Sequence, residues 1–208
     1  MQESLMNHSQ RGYSLIELSI VLAIIAVVIG GAITGVQAIL QSNNVNKTIS
    51  NTNRAIGAIT SKLIRDNSYA LATTVNLSSR AMGVWEEKTV TNPGLGTAAV
   101  TNEFGGAVHV APMATATYGL ATNQAYVYTL TGVPTSACTD LALGLESLGL
   151  GLAVNNQLAS AVATAPTALS GTVLKSPGVL PTSATVSQAC APSANTGQTT
   201  ITMLIPRS

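Results

Sequence analysis

The chain of 208 residues is poor in charged and aromatic side chains. Charged residues make up 8% of it, aromatic residues 3%, and the formal net charge is +1. A balance this close to neutral provides no broad basic face for nucleic-acid phosphates, so we expect no binding to DNA or RNA. Alanine, threonine, serine, glycine and asparagine dominate after residue 70, which is typical of a small β-rich or loop-rich domain rather than a large enzyme core.

The residues that catalysis or metal binding needs are also scarce. His8 and His109 are the only histidines, and neither lies near a cysteine in sequence, so we expect no metal site. The acidic residues beyond the N-terminal region follow no motif spacing, and Glu86 and Glu87 fit a solvated turn better than a catalytic dyad. No GxxxxGK[ST] phosphate loop is present. The sequence therefore predicts neither an enzyme nor a cofactor site, and His109 is expected to be a structural residue in a strand.

Two cysteines, Cys138 and Cys190, are present, without CxxC spacing. In an exported chain such a pair predicts one disulfide, whose loop-closure effect is about 4 kcal/mol in the chain-entropy model. In a cytosolic chain the same pair would be two buried free thiols. Because the N-terminal segment indicates export, we favour the disulfide.

One long apolar run lies near the N-terminus. The segment Leu18 to Val36 contains no charged residue, and at about 1.5 Å per residue it extends about 28 Å, enough to cross the hydrocarbon of a bilayer. Arg11 precedes the run and the next basic residue is Lys47, so the positive-inside rule predicts a cytoplasmic N-terminus. Glu17 stands at the start of the run, where a carboxylate costs about 2.5 to 3.5 kcal/mol and needs a partner.

Two simpler interpretations of this run exist. A secretory signal peptide would be cleaved near the small-residue site at residues 36–38, although its apolar region is usually about 7 to 15 residues long, shorter than this run. An uncleaved anchor holding an extracellular domain is the other. Neither gives Glu17 a role.

The segment RGYSLIEL at residues 11–18, followed by the apolar run, closely resembles the class III signal of type IV prepilins. The resemblance implies a leader peptide at residues 1–12, cut on the cytoplasmic side between Gly12 and Tyr13 by a prepilin peptidase that then methylates the amine of Tyr13. Glu17 becomes the fifth residue of the mature chain.

The same resemblance implies a partner for Glu17. In pilus filaments the new amine of one subunit is thought to meet the glutamate of a neighbouring subunit, and the need for this pairing sets the register between subunits. Glu17 also lies four residues from Tyr13, within reach on one helix. The sequence leaves open whether the pairing is within or between subunits.

A helical pattern continues beyond the membrane run. One face recurs at intervals of three and four residues and consists of Val45, Ile49, Thr52, Ile56, Ile59 and Leu63. We expect one helix from about residue 13 to residue 67. Residues 13–36 would lie in the membrane or filament core, and residues 37–67 would pack on a globular head, as in the spine of a type IV pilin.

The remaining residues, 68–208, predict an α+β head in which helices back an antiparallel sheet. Helices are expected at residues 76–83 and 136–148. Strands are expected at residues 107–111, 125–131, 172–175, 182–186 and 199–205.

Two motifs in the head resemble those of type IVb pilins, the subclass of toxin-coregulated, bundle-forming and conjugative thin pili. They are NEFGG at residues 102–106 and GVPTSACTDL at residues 132–141. The bracket from Cys138 to Cys190 resembles the disulfide-bounded D-region of that subclass.

The expected protein is therefore a type IV prepilin of type IVb kind, which polymerises into a pilus serving adhesion, aggregation or conjugation. The resemblance implies as partners other copies of the chain, the prepilin peptidase, an inner-membrane assembly platform with its ATPase, and an outer-membrane secretin. It implies an inner-membrane precursor and an extracellular filament. The alternatives are a minor pilin, a type II secretion pseudopilin, or a membrane-anchored adhesin that does not polymerise.

Overall fold

A computed structural model describes residues 14–66, 73–79, 83–191 and 197–207. The leader, Gly12 and Tyr13 lie outside these residues. The helices are α1 (Leu15–Asp66), α2 (Thr74–Ser79), α3 (Thr135–Leu145) and α4 (Ser183–Ala189). The strands are β1 (Val90–Thr91), β2 (Ala99–Thr101), β3 (Ala107–Pro112), β4 (Ala125–Pro134), β5 (Gly151–Asn155), β6 (Thr172–Lys175) and β7 (Gln198–Pro206). Contacts divide the chain into two units, Met1–Gln41 and Ser42–Ser208.

The long helix predicted from the sequence is confirmed as α1, which has 52 residues. It begins where the N–H of Leu18 donates to the carbonyl of Ser14 at 3.1 Å. The first proline of the chain is Pro93, so no residue of α1 lacks the backbone donor that an uninterrupted helix needs.

One face of α1 beyond Gln41 is buried against the sheet. The buried residues of this face are Val45, Thr48, Thr52, Ala55, Ile56, Ile59 and Leu63. Five of the six positions that the periodicity predicted are in this set, and the sixth, Ile49, is partly buried against the same core. The period of 3.6 residues per turn is therefore sufficient to identify the face that packs on the head.

The seven strands form one antiparallel sheet in the order β1-β2-β3-β4-β7-β5-β6. β7 follows all other strands in sequence but lies between β4 and β5. Tyr126 and Tyr128 of β4 pair with Ile205 and Met203 of β7, and these side chains belong to the main core together with those of α1 and α3. Side chains of successive strand residues point to opposite faces, and on the other face Met113, Ala125, Val127 and Leu204 form a second, smaller core.

Most of the predicted head elements are confirmed. β3, β4, β6 and β7 cover the predicted strands, and α3 covers most of the predicted helix at residues 136–148, which continues as a short 3-10 turn. α2 covers part of the helix predicted at residues 76–83. The sequence did not predict β1, β2 and β5, which have two, three and five residues.

The prediction of a strand at residues 182–186 is wrong, because these residues form the N-cap and first turn of α4. Thr182 accepts a hydrogen bond from the N–H of Thr185, and the Thr185 side chain accepts one from the N–H of Thr182. This reciprocal capping box satisfies donors at the helix start and outweighs the strand preference of threonine and valine.

The predicted disulfide is present and joins α3 to the end of α4. Cys138 lies in α3, Cys190 is the C-cap residue of α4, and their Cα atoms are 5.7 Å apart. Both residues are buried. The bridge closes a loop that contains α3, β5, β6 and α4.

The NEFGG segment is a tight turn fixed by the Asn102 side chain. Its Oδ1 accepts from the N–H groups of Phe104 at 2.9 Å and Gly106 at 3.1 Å, and its Nδ2 donates to the carbonyl of Thr131 at 2.8 Å. Gly106 lies so close to the Thr131 carbonyl that a Cβ at this position would overlap it. The turn between β2 and β3 is therefore held against β4, where the pairing with β7 shifts register between Leu130 and Val133.

Removal of the disulfide should lower stability by about 4 kcal/mol, because the bridge spans 52 residues of the denatured chain. We expect this loss in the free energy of unfolding of the Cys138→Ala/Cys190→Ala variant, measured with denaturant in detergent under non-reducing conditions. Under reducing conditions the two proteins should unfold alike. A non-reducing difference below about 1 kcal/mol would contradict the expectation.

Replacement of Gly106 with alanine should destabilise the head by about 1 to 3 kcal/mol, because a backbone carbonyl must move to admit the methyl group. Gly57→Ala is the matched control. Gly57 is exposed in α1 with no atom within 4 Å of its missing Cβ, so alanine should stabilise the helix by up to about 1 kcal/mol. Equal unfolding midpoints for the two variants would refute the close contact at Gly106.

Candidate functional site

The N-terminal half of α1 presents a continuous exposed apolar surface. All residues from 14 to 40 are exposed, including Leu15 at 87%, Ile16 at 68% and Val27 at 77%. An 18-residue window of this helix reaches a mean hydropathy of 2.6, and the helix is long enough to span a membrane. An apolar surface of this size indicates contact with lipid or with other proteins.

Two hydroxyl groups within this surface, those of Ser19 and Thr34, are satisfied by the helix itself. Ser19 Oγ donates to the carbonyl of Ile16 at 2.7 Å, and Thr34 Oγ1 donates to the carbonyl of Gly31 at 2.9 Å. Neither hydroxyl needs water or a neighbour, so both are compatible with hydrocarbon.

Glu17 is the acidic residue in the first turn of α1 and is exposed. The positive end of the helix dipole favours a carboxylate there, although by only about 0.3 to 1 kcal/mol, less than the cost of placing it in hydrocarbon. Within the described ranges, the ion pairs join Glu86 to Arg54 at 3.5 Å and to Lys88 at 3.0 Å, and neither includes Glu17. Among the described residues, Glu17 thus takes part in neither of these ion pairs.

The second half of α1 is bonded to the head by polar contacts as well as by its apolar face. Asn51 Nδ2 donates to Glu103 Oε1 at 3.0 Å, and the hydroxyls of Thr60 and Tyr126 lie 3.1 Å apart. Burial raises the pKa of Tyr128 far above its usual range, against a smaller opposing effect of its hydrogen bond with Thr52. Tyr128 is therefore neutral at any physiological pH, and its contact with Thr52 of α1 carries no charge.

α3 also approaches α1 closely at Gly144, which has no side chain and leaves room for that of Ile49. A Cβ on Gly144 would overlap Cδ1 of Ile49. The sequence analysis did not identify this contact or those of Asn51 and Thr60, because partners 50 or more residues apart leave no local pattern.

The D-region, residues 138–190, is held together at several points besides its disulfide. Asn156 Nδ2 donates to the carbonyls of Ala189 and Ala191, both at 3.0 Å, and Lys175 Nζ donates to the carbonyl of Glu146. Its outer strand β6 and the following turn expose Val173, Val179 and Leu180. The region therefore has internal cross-links and carries an apolar patch at one edge of the sheet.

Glu86 and His109 of the head have surroundings that lower their pKa values. The hydrogen bond and charge of Lys88 lower the pKa of Glu86, with a smaller contribution from Arg54. His109 lies in β3 as predicted, and burial lowers its pKa despite a hydrogen bond to the backbone of Val162. Across the part of the chain that the structure describes, no three His, Cys, Asp or Glu residues are grouped in a way that could hold a metal ion.

Two protein families match the sequence. The family described as the prokaryotic N-terminal methylation motif matches residues 7–33, and the family described as PilS N terminal matches residues 37–204. The first match contains the expected cleavage position and Glu17, and the second covers most of the remaining chain.

Comparison with known proteins gives consistent results. Two relatives, each a major structural subunit of bundle-forming pilus, come from Escherichia coli O111:H- and from Escherichia coli O127:H6 (strain E2348/69 / EPEC). Each is 32% identical over 163 residues, which cover 76% of this chain and 78% of the relative. The crystal structure of a type IV b pilin from Salmonella typhi matches with a TM-score of 0.52 and 21% identity, over 77% of this chain and 99% of that chain. The structural match supports the fold. The matches to the families and to the two relatives show the family to which the chain belongs.

Proposed function

Because the chain belongs to the type IVb pilins and is a structural subunit of a pilus, we propose that it matures by a cut between Gly12 and Tyr13 and polymerises through the exposed half of α1. The observation that carries the proposal is Glu17, a single carboxylate at the start of an otherwise apolar helix surface. Such a residue is costly in a simple membrane anchor.

We assign four functional segments to the chain. Residues 1–12 are the leader that a prepilin peptidase removes, and the amine of Tyr13 is then methylated. Residues 13–36 form the membrane segment of the precursor and the core helix of the filament. Residues 37–67 are the amphipathic half of the spine, and residues 68–208 are the head with its D-region. The methylation-motif match over residues 7–33 supports the first boundary.

Glu17 pairs with the amine of Tyr13 that the cut creates. A carboxylate and an ammonium group that are each costly in an apolar filament core become tolerable as a pair, and removing one partner leaves the other unpaired. Because an exposed apolar helix can slide along another at little cost, a single charged position gives the contact between subunits its register.

The precursor crosses the inner membrane once, with its N-terminus in the cytoplasm and its head in the periplasm. Filament growth requires an assembly platform and its ATPase, since the chain contains no phosphate loop, and passage to the exterior requires a secretin.

The relatives are subunits of a bundle-forming pilus, which supports a role in adhesion or aggregation; a role in conjugative mating is the other possibility for this subclass.

The proposed cut can be tested by N-terminal sequencing and mass measurement of protein from sheared filaments. We expect a mature chain that starts at methylated Tyr13, because the peptidase acts after the glycine. Gly12→Leu should keep the leader and remain in the membrane fraction. A native chain starting near Ile39 would instead indicate a secreted protein that has lost its apolar helix.

The role of Glu17 can be tested with Glu17→Ala and Glu17→Gln. Both variants should be cut normally yet be nearly absent from sheared filaments on an immunoblot, because the filament contact loses its charge pair. Ser19→Ala is the matched control in the same helix turn. It should form filaments normally, since Ser19 bonds only to its own helix. Normal filament yield from Glu17→Ala would refute the pairing.

A further inference from the structure

A small cavity lies between α1 and the segment at residues 83–89. Its volume is about 30 Å³, and its lining includes Thr48 and Thr52 of α1, Trp85 of the segment, and Tyr128 of β4. Residues of two polar contacts also line it, the Asn51–Glu103 hydrogen bond and the Arg54–Glu86 ion pair. The cavity therefore belongs to the contact between the spine and the head.

Among the side chains of the lining residues, two polar atoms are buried without a hydrogen-bond partner within the described part of the chain. They are Oγ1 of Thr48, a residue only 2% exposed, and Nε1 of Trp85. Buried polar groups in folded proteins nearly always have a partner, and leaving one unmatched is costly. Because both residues line one cavity, a single molecule bound there is the simplest partner for both groups.

The chemistry of the two groups identifies that partner. An indole N–H only donates, whereas a hydroxyl both donates and accepts. A molecule that accepts from the indole and also donates to, or accepts from, the hydroxyl satisfies both. Water does this, and a water molecule needs about 10 to 15 Å³ of such space, so the cavity has room for water.

We propose that this cavity binds an ordered water molecule that accepts a hydrogen bond from Trp85 Nε1 and bonds with Thr48 Oγ1. The neighbouring hydroxyl of Thr52 is already engaged with Tyr128. The water thereby joins the 83–89 segment to α1, beside the Arg54–Glu86 ion pair and the Trp85–Tyr128 ring contact, whose centroids are 6.1 Å apart. Thr48 acts as a positioning residue for Trp85.

A crystal structure of the full chain in detergent, at a resolution that shows ordered water, tests the site directly. We expect a water peak within about 3.2 Å of both atoms. A direct bond between Trp85 Nε1 and Thr48 Oγ1 would overturn the proposal, and so would a cavity without a peak.

The indole N–H signal of Trp85 provides a second test in solution, since the chain contains one tryptophan. In nitrogen-15 spectra of the full chain, Thr48→Val should shift this signal and speed its exchange with solvent, because the water loses a partner. Thr48→Ser keeps the hydroxyl and should preserve the native signal. Thr60→Val, which removes a hydroxyl of the same helix away from the cavity, should also leave it unchanged.

The outcomes of the solution test are distinct. A native-like Trp85 signal in Thr48→Val overturns the proposal, as does an equal shift in Thr48→Ser and Thr60→Val, which would indicate a general loosening of the head. If Thr48→Val does not fold, the water peak in the native crystal and the Thr48→Ser spectrum still decide.

Discussion

The burial of one face of α1 against the sheet is the contact on which the rest of the structure depends. The apolar residues from Val45 to Leu63 place α1 against β4 and β7, and threonines at positions 48 and 52 bring hydroxyls into the same interface. Bonds from Asn51 and Thr60 then fix the helix along its length. Because the face is both apolar and hydrogen-bonded, the helix has one register on the sheet, and Gly144 lets α3 close over it.

The same helix meets two different environments with one unbroken backbone. Its first half keeps the hydroxyls of Ser19 and Thr34 within the helix and exposes apolar side chains, and its second half exposes polar side chains and buries an apolar face. This division separates the two tasks of a pilus subunit. In the proposed function the first half makes the contacts between subunits or with lipid, whereas the second half packs on the head.

Local patterns predicted much of this structure, and non-local pairing explains what they could not predict. α1 follows from a helical period sustained over many turns, and β4 and β7 follow from alternating β-branched and aromatic residues. α4 was mistaken for a strand because Thr182 and Thr185 have high strand propensity, while their capping bonds become visible only in three dimensions. The disulfide between the two cysteines could be predicted from the sequence, but the cavity beside Trp85 could not, since it is formed by residues from four separate parts of the chain.

The position of β7 has a consequence for the order in which the head can form. β7 pairs with both β4 and β5, so in the proposed export of the head the first four strands have no partner that connects them to β5 and β6 until β7 has emerged. Cys190 emerges before β7, so oxidation can close the D-region while the sheet is still in two parts. A head exported only partway therefore has its covalent link but no continuous sheet, and closure of the core must await the strand that is translocated after all the others.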